Sequence, residues 1–190
     1  MIRAAGGSPV HAAFLRAVNV AGHAVVRMED LRRAFEEAGC REVRTVIQSG
    51  NVLFAAPERG LDALKGRIRH NLEMLLGSTP VAIYRTADEL RILAASDPFG
   101  GAEAGPDVKL YVALLAEPPK KHPVLPLVVA KEGLEVVGFV GLDAFIVSRR
   151  VKGRFGFPNL LVEKALGVEA TTRNWNTVLK IAKLVAGGRP

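Results

Sequence analysis

Three short stretches place amide, hydroxyl and guanidinium groups where apolar residues would otherwise continue: LRAVNVAG (15–22), QSGN (48–51) and TTRNWNT (171–177). Amide and guanidinium groups form hydrogen bonds but do not exchange protons near neutral pH. The set therefore favours recognition of an anion or a base edge over acid–base catalysis. The candidate ligand-binding residues are Arg16, Asn19, Gly22, Gln48, Asn51, Thr172, Arg173 and Asn174.

The third stretch indicates an anion site at the start of a helix. The run from 171 to 187 predicts a helix with Thr171 or Thr172 as its N-cap and Arg173 in its first turn. Free N–H groups at a helix start attract phosphate or carboxylate, and a guanidinium adds further donors. The alternative is structural, with Thr172 only a cap, Trp175 in the core and Arg173 bonded to a carbonyl.

The first stretch predicts a strand that runs into a loop. Its single glycine, Gly22, would let the backbone approach a ligand, but the stretch lacks the glycine pattern and the Lys-Ser/Thr pair of a phosphate loop. Asn19 fits an Asx turn equally well. Arg16 could instead pair with Glu29 or Asp30. Both alternatives stay open at the level of the sequence.

The second stretch predicts a tight hairpin. Gly50 can take a positive φ at no steric cost, and Ser49 and Asn51 are common turn residues. We therefore predict strands at 43–47 and 51–55 on either side of a chain reversal. The amides of this stretch could meet a ligand, or they could hold two loops together through side-chain to backbone bonds.

An enzymatic role has weaker support, and no reaction is assigned. Ser49 does not lie in a G-x-S-x-G elbow. An acid or base would have to come from Glu29, Asp30, Asp143 or His23. The four histidines show no i, i+4 pair, and the one cysteine, Cys40, follows a predicted helix end, where a small buried hydrophobe is expected. The sequence therefore predicts no metal and no cofactor.

Composition indicates a folded protein with an excess of positive charge. The 190 residues are 49% hydrophobic, which is ample for a packed core. We find no secretory leader pattern and no apolar run long enough for a membrane span, so a soluble cytoplasmic protein is expected. The formal net charge of +7 favours acidic ligands or polyanions. Basic residues are spread along the chain, and for the looser cluster SRRVKGR (148–154) a solvated surface is the default interpretation.

Nucleic-acid binding is an alternative that depends mainly on this charge. An RNA-binding plait carries paired aromatic side chains on its central strands, where they stack on bases. The corresponding strands here offer only Phe14 and Phe54, and both are as readily explained as core residues. The oligomeric state is not predicted.

Local patterns in the first half predict the order strand, helix, strand, strand, helix, strand. The predicted segments are a strand at 10–18, a helix at 28–39, strands at 43–47 and 51–55, a helix at 61–77 and a strand at 80–85. Gly39 and Gly77 are placed to end the two helices. This order is that of the ferredoxin-like, or split βαβ, arrangement, also called an α/β plait. We therefore predict a ferredoxin-like domain over residues 10–96.

A second α+β domain is predicted after a linker rich in Gly and Pro. Thr86 and Glu89 have the spacing of a capping box and predict a helix before this linker, which covers 97–106. The second domain, 107–187, is predicted to be plait-related and to end in helices. Its predicted segments are strands at 108–115, 134–140 and 143–149, a helix at 158–167 and the C-terminal helix. The ends, 1–9 and 188–190, are predicted to be flexible.

Four ordered motifs resemble the signature of the domain of unknown function 1697 (DUF1697) family. FLRAVNVAG, MEDLR, RTVIQSGNVLF and TTRNWNTVLKIAKL are close to the family forms LLRGINVGG, MADLR, RTYIQSGNVVF and TTRNWNTV-KL, and the resemblance covers His11 to Val185. It implies a bacterial cytoplasmic α+β protein of two ferredoxin-like or plait-related halves with no established activity. This chain has Ala17 and Ala21 where the family typically has glycine, and His23 where lysine is common.

The leading hypothesis is a cytoplasmic binding or regulatory protein that recognises a small anionic or nucleotide-like ligand in a cleft shared by the two halves. A nucleic-acid-binding protein and an enzyme of unassigned reaction are alternatives. A further alternative is that the motifs only make the fold, as a buried polar network that fixes how segments dock.

Overall fold

Residues 8–16, 26–47 and 50–187 are described by this computed structural model, and they carry two antiparallel sheets and five α-helices. The chain divides into two compact units, Met1–Leu93 with Ile181–Pro190 and Ala94–Lys180. The predicted mixed α+β class is therefore confirmed. The ends predicted to be flexible lie largely outside the described residues.

The first unit contains a four-stranded antiparallel sheet in the order β2-β3-β1-β4. Its elements are β1 (Val10–Leu15), α1 (Met28–Ala38), β2 (Arg41–Thr45), β3 (Asn51–Ala55), α2 (Leu61–Leu76) and β4 (Ala82–Thr86). The order of strands and helices along the chain is the one predicted from the sequence. Gly39 and Gly77 both adopt the left-handed conformation and end α1 and α2, as predicted.

One core fills the space between this sheet and its two helices. Alternate residues of the strands, such as Ala13 and Phe54, pack against the apolar faces of α1 and α2, which include Phe35 and Ile68. Burial of each large side chain stabilises the fold by roughly 1.5–3 kcal/mol. Both helices therefore pack on the same face of the sheet.

A short helix, α3 (Ala87–Ala95), follows β4 directly and begins with the predicted capping box. The Thr86 backbone N–H donates to the Glu89 carboxylate at 2.7 Å, and the Glu89 N–H donates to Thr86 Oγ1 at 3.2 Å. Two N–H groups that the first helical turn would leave without partners are thus satisfied reciprocally.

The second unit contains a five-stranded antiparallel sheet in the order β6-β7-β8-β5-β9. Its elements are β5 (Val108–Leu115), β6 (Leu127–Val129), β7 (Leu134–Val140), β8 (Asp143–Arg149), α4 (Asn159–Leu166) and β9 (Ala170–Asn174), with the first part of α5 (Trp175–Gly187), which from Ile181 on belongs to the first unit. The predicted bounds of β5, β7 and β8 are confirmed. Val162 and Leu166 of α4 pack on one face of this sheet, and Gly167 ends the helix as predicted.

The predicted start of the last helix is wrong. Residues 170–174 form β9, which pairs with β5 along the edge of the second sheet, and the helix begins only at Trp175. Threonine suits both an N-cap and a strand, so the local pattern around Thr171 and Thr172 was ambiguous. The antiparallel pairing with β5 decided between them, because it satisfies backbone groups that a free edge of β5 would leave open.

Candidate functional site

Two candidate residues of the first unit, Arg16 and Asn51, lie at the same end of its sheet. Arg16 follows the last residue of β1, and its N–H donates to the carbonyl of Val81 at 2.9 Å. Asn51 opens β3 and lies opposite Phe14 of β1. Asn19, Gly22 and Gln48 lie outside the described residues, as do Ala17, Ala21, His23 and Ser49.

Asn51 has a clear structural role. Its side chain is buried, and Nδ2 donates to the carbonyl of Val46 at 3.0 Å, while the Val46 N–H donates to the Asn51 carbonyl at 2.8 Å. These two bonds close the loop between β2 and β3. The interpretation of this amide as a link between side chain and backbone is therefore supported at Asn51.

The loop closed by Asn51 contains a backbone conformation that is unusual for its residue type. Ile47 has φ +60° and Gly50 has φ +68°. A positive φ is easy for glycine but strained for a β-branched residue. The Ile47 side chain is also 47% exposed, so burial does not explain its position. The predicted chain reversal at Gly50 is present, with the strain concentrated at Ile47.

In the second unit, Thr172 connects β9 to α4. Its side chain is buried, and Oγ1 donates to Asn159 Oδ1 at 3.0 Å, where Asn159 is the first residue of α4. The register places Thr172 opposite Ala113 of β5, on the sheet face that α4 covers. Thr172 therefore does not cap α5 but fixes the start of α4 against the sheet.

Asn174 is the residue that caps α5. Its Oδ1 accepts the N–H of Asn176 at 3.0 Å, which is the bond that an N-cap makes to the second residue of a helix. Trp175 follows and packs edge-on against Phe99, with ring centroids 5.4 Å apart. Phe99 belongs to the stretch predicted as a linker and is buried.

Arg173 is the charged group of this motif. Its Nη1 donates to Thr171 Oγ1 at 2.7 Å and to the Thr172 carbonyl at 3.0 Å. Burial lowers the pKa of Arg173 to about 10, so the guanidinium remains charged at neutral pH. The side chain is only partly covered, which leaves a route for solvent to reach it.

Register places a carboxylate on the same sheet face as this guanidinium. Thr171 and Asp143 both lie beside Leu114, one on each neighbouring strand, and Arg173 lies two residues beyond Thr171. Asp143 is buried at the start of β8. Thr171 and Arg173 of β9 and Asp143 of β8 therefore lie on the same face of the second sheet.

The sequence analysis missed one buried cation in the first unit. Arg85 of β4 is 4% exposed, and its Nη1 donates to the carbonyl of Tyr84 at 2.8 Å. It shares a sheet face with Ile83, which is also buried. Because residues two apart on a strand share a face, the apolar Ile83 could have indicated that Arg85 is buried as well.

A protein family matches most of this chain. The family described as "Protein of unknown function (DUF1697)" matches residues 9–145. The chain belongs to this family. The match contains the first two candidate stretches and ends before the third. Comparison with the curated proteins gave no match.

A solved structure resembles this DUF1697 chain along most of its length. It is a conserved bacterial protein, SP0830 from Streptococcus pneumoniae, with a TM-score of 0.61 and 17% sequence identity. The likeness covers 93% of this chain and 98% of that one. At this identity it concerns the fold.

Catalytic and metal chemistry find little support among the described residues of this DUF1697 protein. Asp30, one of the acids considered, accepts two bonds from Arg27 at 2.8 and 3.1 Å, and these bonds lower its pKa. Burial raises the pKa of the Cys40 thiol to about 12, which disfavours a nucleophilic thiolate. No group of three or more His, Cys, Asp or Glu side chains within the described ranges could hold a metal ion.

None of the helices in the described part of the chain is both long enough and apolar enough to cross a bilayer.

Proposed function

We propose that this DUF1697 protein is a cytoplasmic binding or regulatory protein for a small anion, such as a phosphorylated or nucleotide-like metabolite, with Arg173 as the principal cation. The observation that carries the proposal is the partly buried guanidinium on β9, which Thr171 Oγ1 and the Thr172 carbonyl orient. Arg16, Asn19, Gly22, Gln48 and Asn51 of the first unit, and Thr172 and Asn174 of the second, remain candidate ligand-binding positions, each set within its own unit.

Partial burial makes this guanidinium a stronger anion ligand than a surface arginine. Electrostatic attraction increases as water is removed, and the fold has already desolvated part of Arg173. The two bonds from Nη1 also restrict the side chain before an anion arrives. Less side-chain entropy is then lost on binding, and the planar fork matches the geometry of phosphate and carboxylate.

The proposal extends to the fold of the first unit, which we assign as ferredoxin-like. Support comes from the βαββαβ order along the chain and the strand order β2-β3-β1-β4. The second unit, with its five strands in the order β6-β7-β8-β5-β9, is proposed only as plait-related.

The test is a thermal-shift titration of the wild type and Arg173→Lys with inorganic phosphate, AMP and citrate. Chloride keeps the ionic strength constant, because phosphate at high concentration stabilises proteins without a site. A ligand at about 100 times its Kd should stabilise the wild type by about 2.7 kcal/mol, or roughly 5–10 °C. Arg173→Lys keeps a positive charge but loses the fork, so we expect its shift to be largely lost.

Arg91→Gln is the matched control for the loss of an exposed arginine. Arg91 lies on α3 and is exposed, with only a surface pair to Asp88 at 3.1 Å. Its shift with each anion should equal that of the wild type. If no anion shifts the wild type, or if Arg91→Gln loses the shift as fully as Arg173→Lys does, the proposal is overturned.

The observed hydrogen bonds favour a second role for some of the same motif positions. Asn51, Thr172 and Asn174 each hold a loop, a helix or a helix start in place. Among the described residues, every buried side-chain nitrogen or oxygen has a hydrogen-bond partner. A structural polar network therefore accounts for these three positions, and its test is their effect on stability.

A further inference from the structure

The segment between β8 and α4, residues 149–157, forms a positively charged surface that we call the basic loop. Arg149, Arg150, Lys152 and Arg154 are all exposed. Arg149 faces Glu135 at 3.7 Å and Arg150 faces Asp107 at 3.2 Å. Lys152 and Arg154 make no ion pair with any residue that the structure describes. The loop therefore has two cations that surrounding carboxylates do not neutralise.

One aromatic ring, Phe155, lies between Arg150 of the basic loop and Lys109 of β5. The Phe155 ring has Lys109 Nζ at 4.2 Å and the guanidinium carbon of Arg150 at 5.1 Å from its centroid. Both contacts are in the range of cation–π attraction. Phe157, two residues further, is 67% exposed. Its face is therefore open for a base to stack on it.

A tight turn at the tip of the basic loop carries Lys152. Val151 and Arg154 exchange backbone bonds of 2.8 and 3.0 Å, which closes a two-residue turn. Both central residues, Lys152 and Gly153, have positive φ, at +49° and +76°. Asn and Gly are the usual residues of such a turn, so a lysine at the first position is strained.

Close packing fixes the base of the loop. A side chain at Gly156 would meet the Glu132 carbonyl at 2.5 Å, and one at Gly133 would meet the Arg149 carbonyl. Arg149 also donates its N–H to the Gly133 carbonyl at 2.7 Å. The buried Ser148 hydroxyl donates to the Gly156 carbonyl at 3.3 Å. The backbone at the base of the loop is therefore fixed before any ligand binds.

We propose that the basic loop is a docking surface for single-stranded nucleic acid. Phosphates contact Lys152, Arg154 and Lys109, and one base stacks on the exposed ring of Phe157. Charge alone would fit any polyanion, but an exposed ring three residues after Arg154 matches a strand whose bases are unpaired. An acidic peptide would leave the ring without a partner, and a duplex would keep its bases out of reach. The surface uses none of the residues of the small-anion site.

The test is fluorescence polarisation of a labelled 12-mer oligo(dT) with the full-length protein between 50 and 200 mM KCl. Single-stranded binding loses affinity with a log–log slope of about 0.7 per neutralised phosphate, so these three cations predict a slope near −2. Lys152→Asn with Arg154→Gln keeps a residue that tolerates positive φ and should reduce the slope by about 1.4. Phe157→Ala should weaken binding by about 5- to 100-fold at every salt concentration.

The control is the charge-matched pair Arg32→Gln with Arg91→Gln on α1 and α3. Both arginines are exposed and make only surface pairs, at 3.8 Å to Glu36 and 3.1 Å to Asp88. The control pair should bind the 12-mer within about twofold of the wild type. The proposal is overturned if the 12-mer does not bind at 50 mM KCl, or if the control pair loses as much affinity as the basic-loop variant. It is also overturned if a 12-bp duplex binds more tightly than the 12-mer and Phe157→Ala does not change the affinity for the duplex. Tighter binding of poly-glutamate than of oligo(dT) would likewise overturn it.

Discussion

At the scale of single residues, burial decides which ionisable groups of this chain are available for chemistry. His11 and Cys40 are both in the first unit and both buried. His11 stacks on Phe54 with centroids 5.4 Å apart, and its Nε2 lies 3.3 Å from the Ala56 carbonyl. These groups therefore report on the integrity of the core, and their titration gives two direct tests.

Protonation of His11 should destabilise the protein. Desolvation lowers the His11 pKa below its ordinary value of 6.5, opposed by the bond to Ala56 and aided by Lys65. The unfolded chain therefore binds more protons in the window between the lowered pKa and about 6.5, so stability is full above this window and falls as the pH drops through it. Urea unfolding between pH 7.5 and 5 should show this loss in the wild type.

His11→Gln provides the comparison for that titration. Its amide can donate to the same carbonyl but does not titrate, so the fall in stability between pH 7 and 5 should be smaller than in the wild type. Equal slopes in the wild type and His11→Gln would contradict the assignment.

Cys40 should be inert in the native protein. Its thiol is 6% exposed, and burial raises its pKa to about 12, so almost no thiolate exists at pH 8. A colorimetric thiol reagent should therefore react at the rate of unfolding, and rapidly once urea is added. Fast stoichiometric labelling of the folded chain would show that the thiol is accessible after all.

At the scale of elements, the boundary between β9 and α5 determines what the TTRNWNT stretch does. If Asn174 is the cap, Asn174→Ala should lower the free energy of unfolding by about 0.5–2 kcal/mol, whereas Asn174→Ser should retain most of it. Thr172→Val should cost about 1–3 kcal/mol for a different reason, since it leaves Asn159 Oδ1 without its donor inside the fold. Chemical denaturation measures each change. A neutral Asn174→Ala would contradict the assigned cap.

Gly133, before β7, and Gly138, within it, form a matched pair of glycines. Gly133 has φ +64°, and an added Cβ would clash with the Arg149 carbonyl, so Gly133→Ala should cost at least about 3 kcal/mol. Gly138 lies within β7, where a Cβ would meet nothing within 4 Å. Gly138→Ala should therefore be within about 1 kcal/mol of the wild type. Similar effects of the two substitutions would show that the close approach at Gly133 relaxes cheaply.

The elements divide into those that local sequence predicts and those that it does not. The helix ends at Gly39 and Gly77 and the hairpin around Gly141 depend on a few neighbouring residues, and each was predicted. β9 depends on pairing with β5, more than fifty residues earlier, and was predicted as helix. The short β6 was also missed, because three residues carry too little periodicity to identify a strand.

The candidate site shows the same division. Residue types identified Arg173 and Asn51 as unusual, and both lie in ordered positions with specific partners. Their partners could not be predicted. Thr171 accepts a hydrogen bond from Arg173 because both side chains lie on the same face of β9. The basic loop was visible as SRRVKGR, but the turn at Lys152 and the exposed Phe157 required the structure.

At the scale of the whole molecule, the formal charge of +7 raises the question of whether attraction to polyanions is general or local. Net charge acts over a Debye length of about 10 Å at 0.1 M salt, so charges beyond that distance contribute little to a bound strand. A local surface and a diffuse excess of charge therefore make different predictions for variants of equal net charge.

Heparin chromatography separates these two cases. The Lys152→Asn, Arg154→Gln variant and the Arg32→Gln, Arg91→Gln variant each lower the net charge by two, so a diffuse effect would elute both at the same salt concentration, earlier than the wild type. We expect the basic-loop variant to elute clearly earlier than the control, because its cations lie side by side on one preformed turn. Thermal melting of both variants must match the wild type for the comparison to hold. Coincident elution would mean that the charge of this protein acts as a whole and that no single surface governs its contact with polyanions.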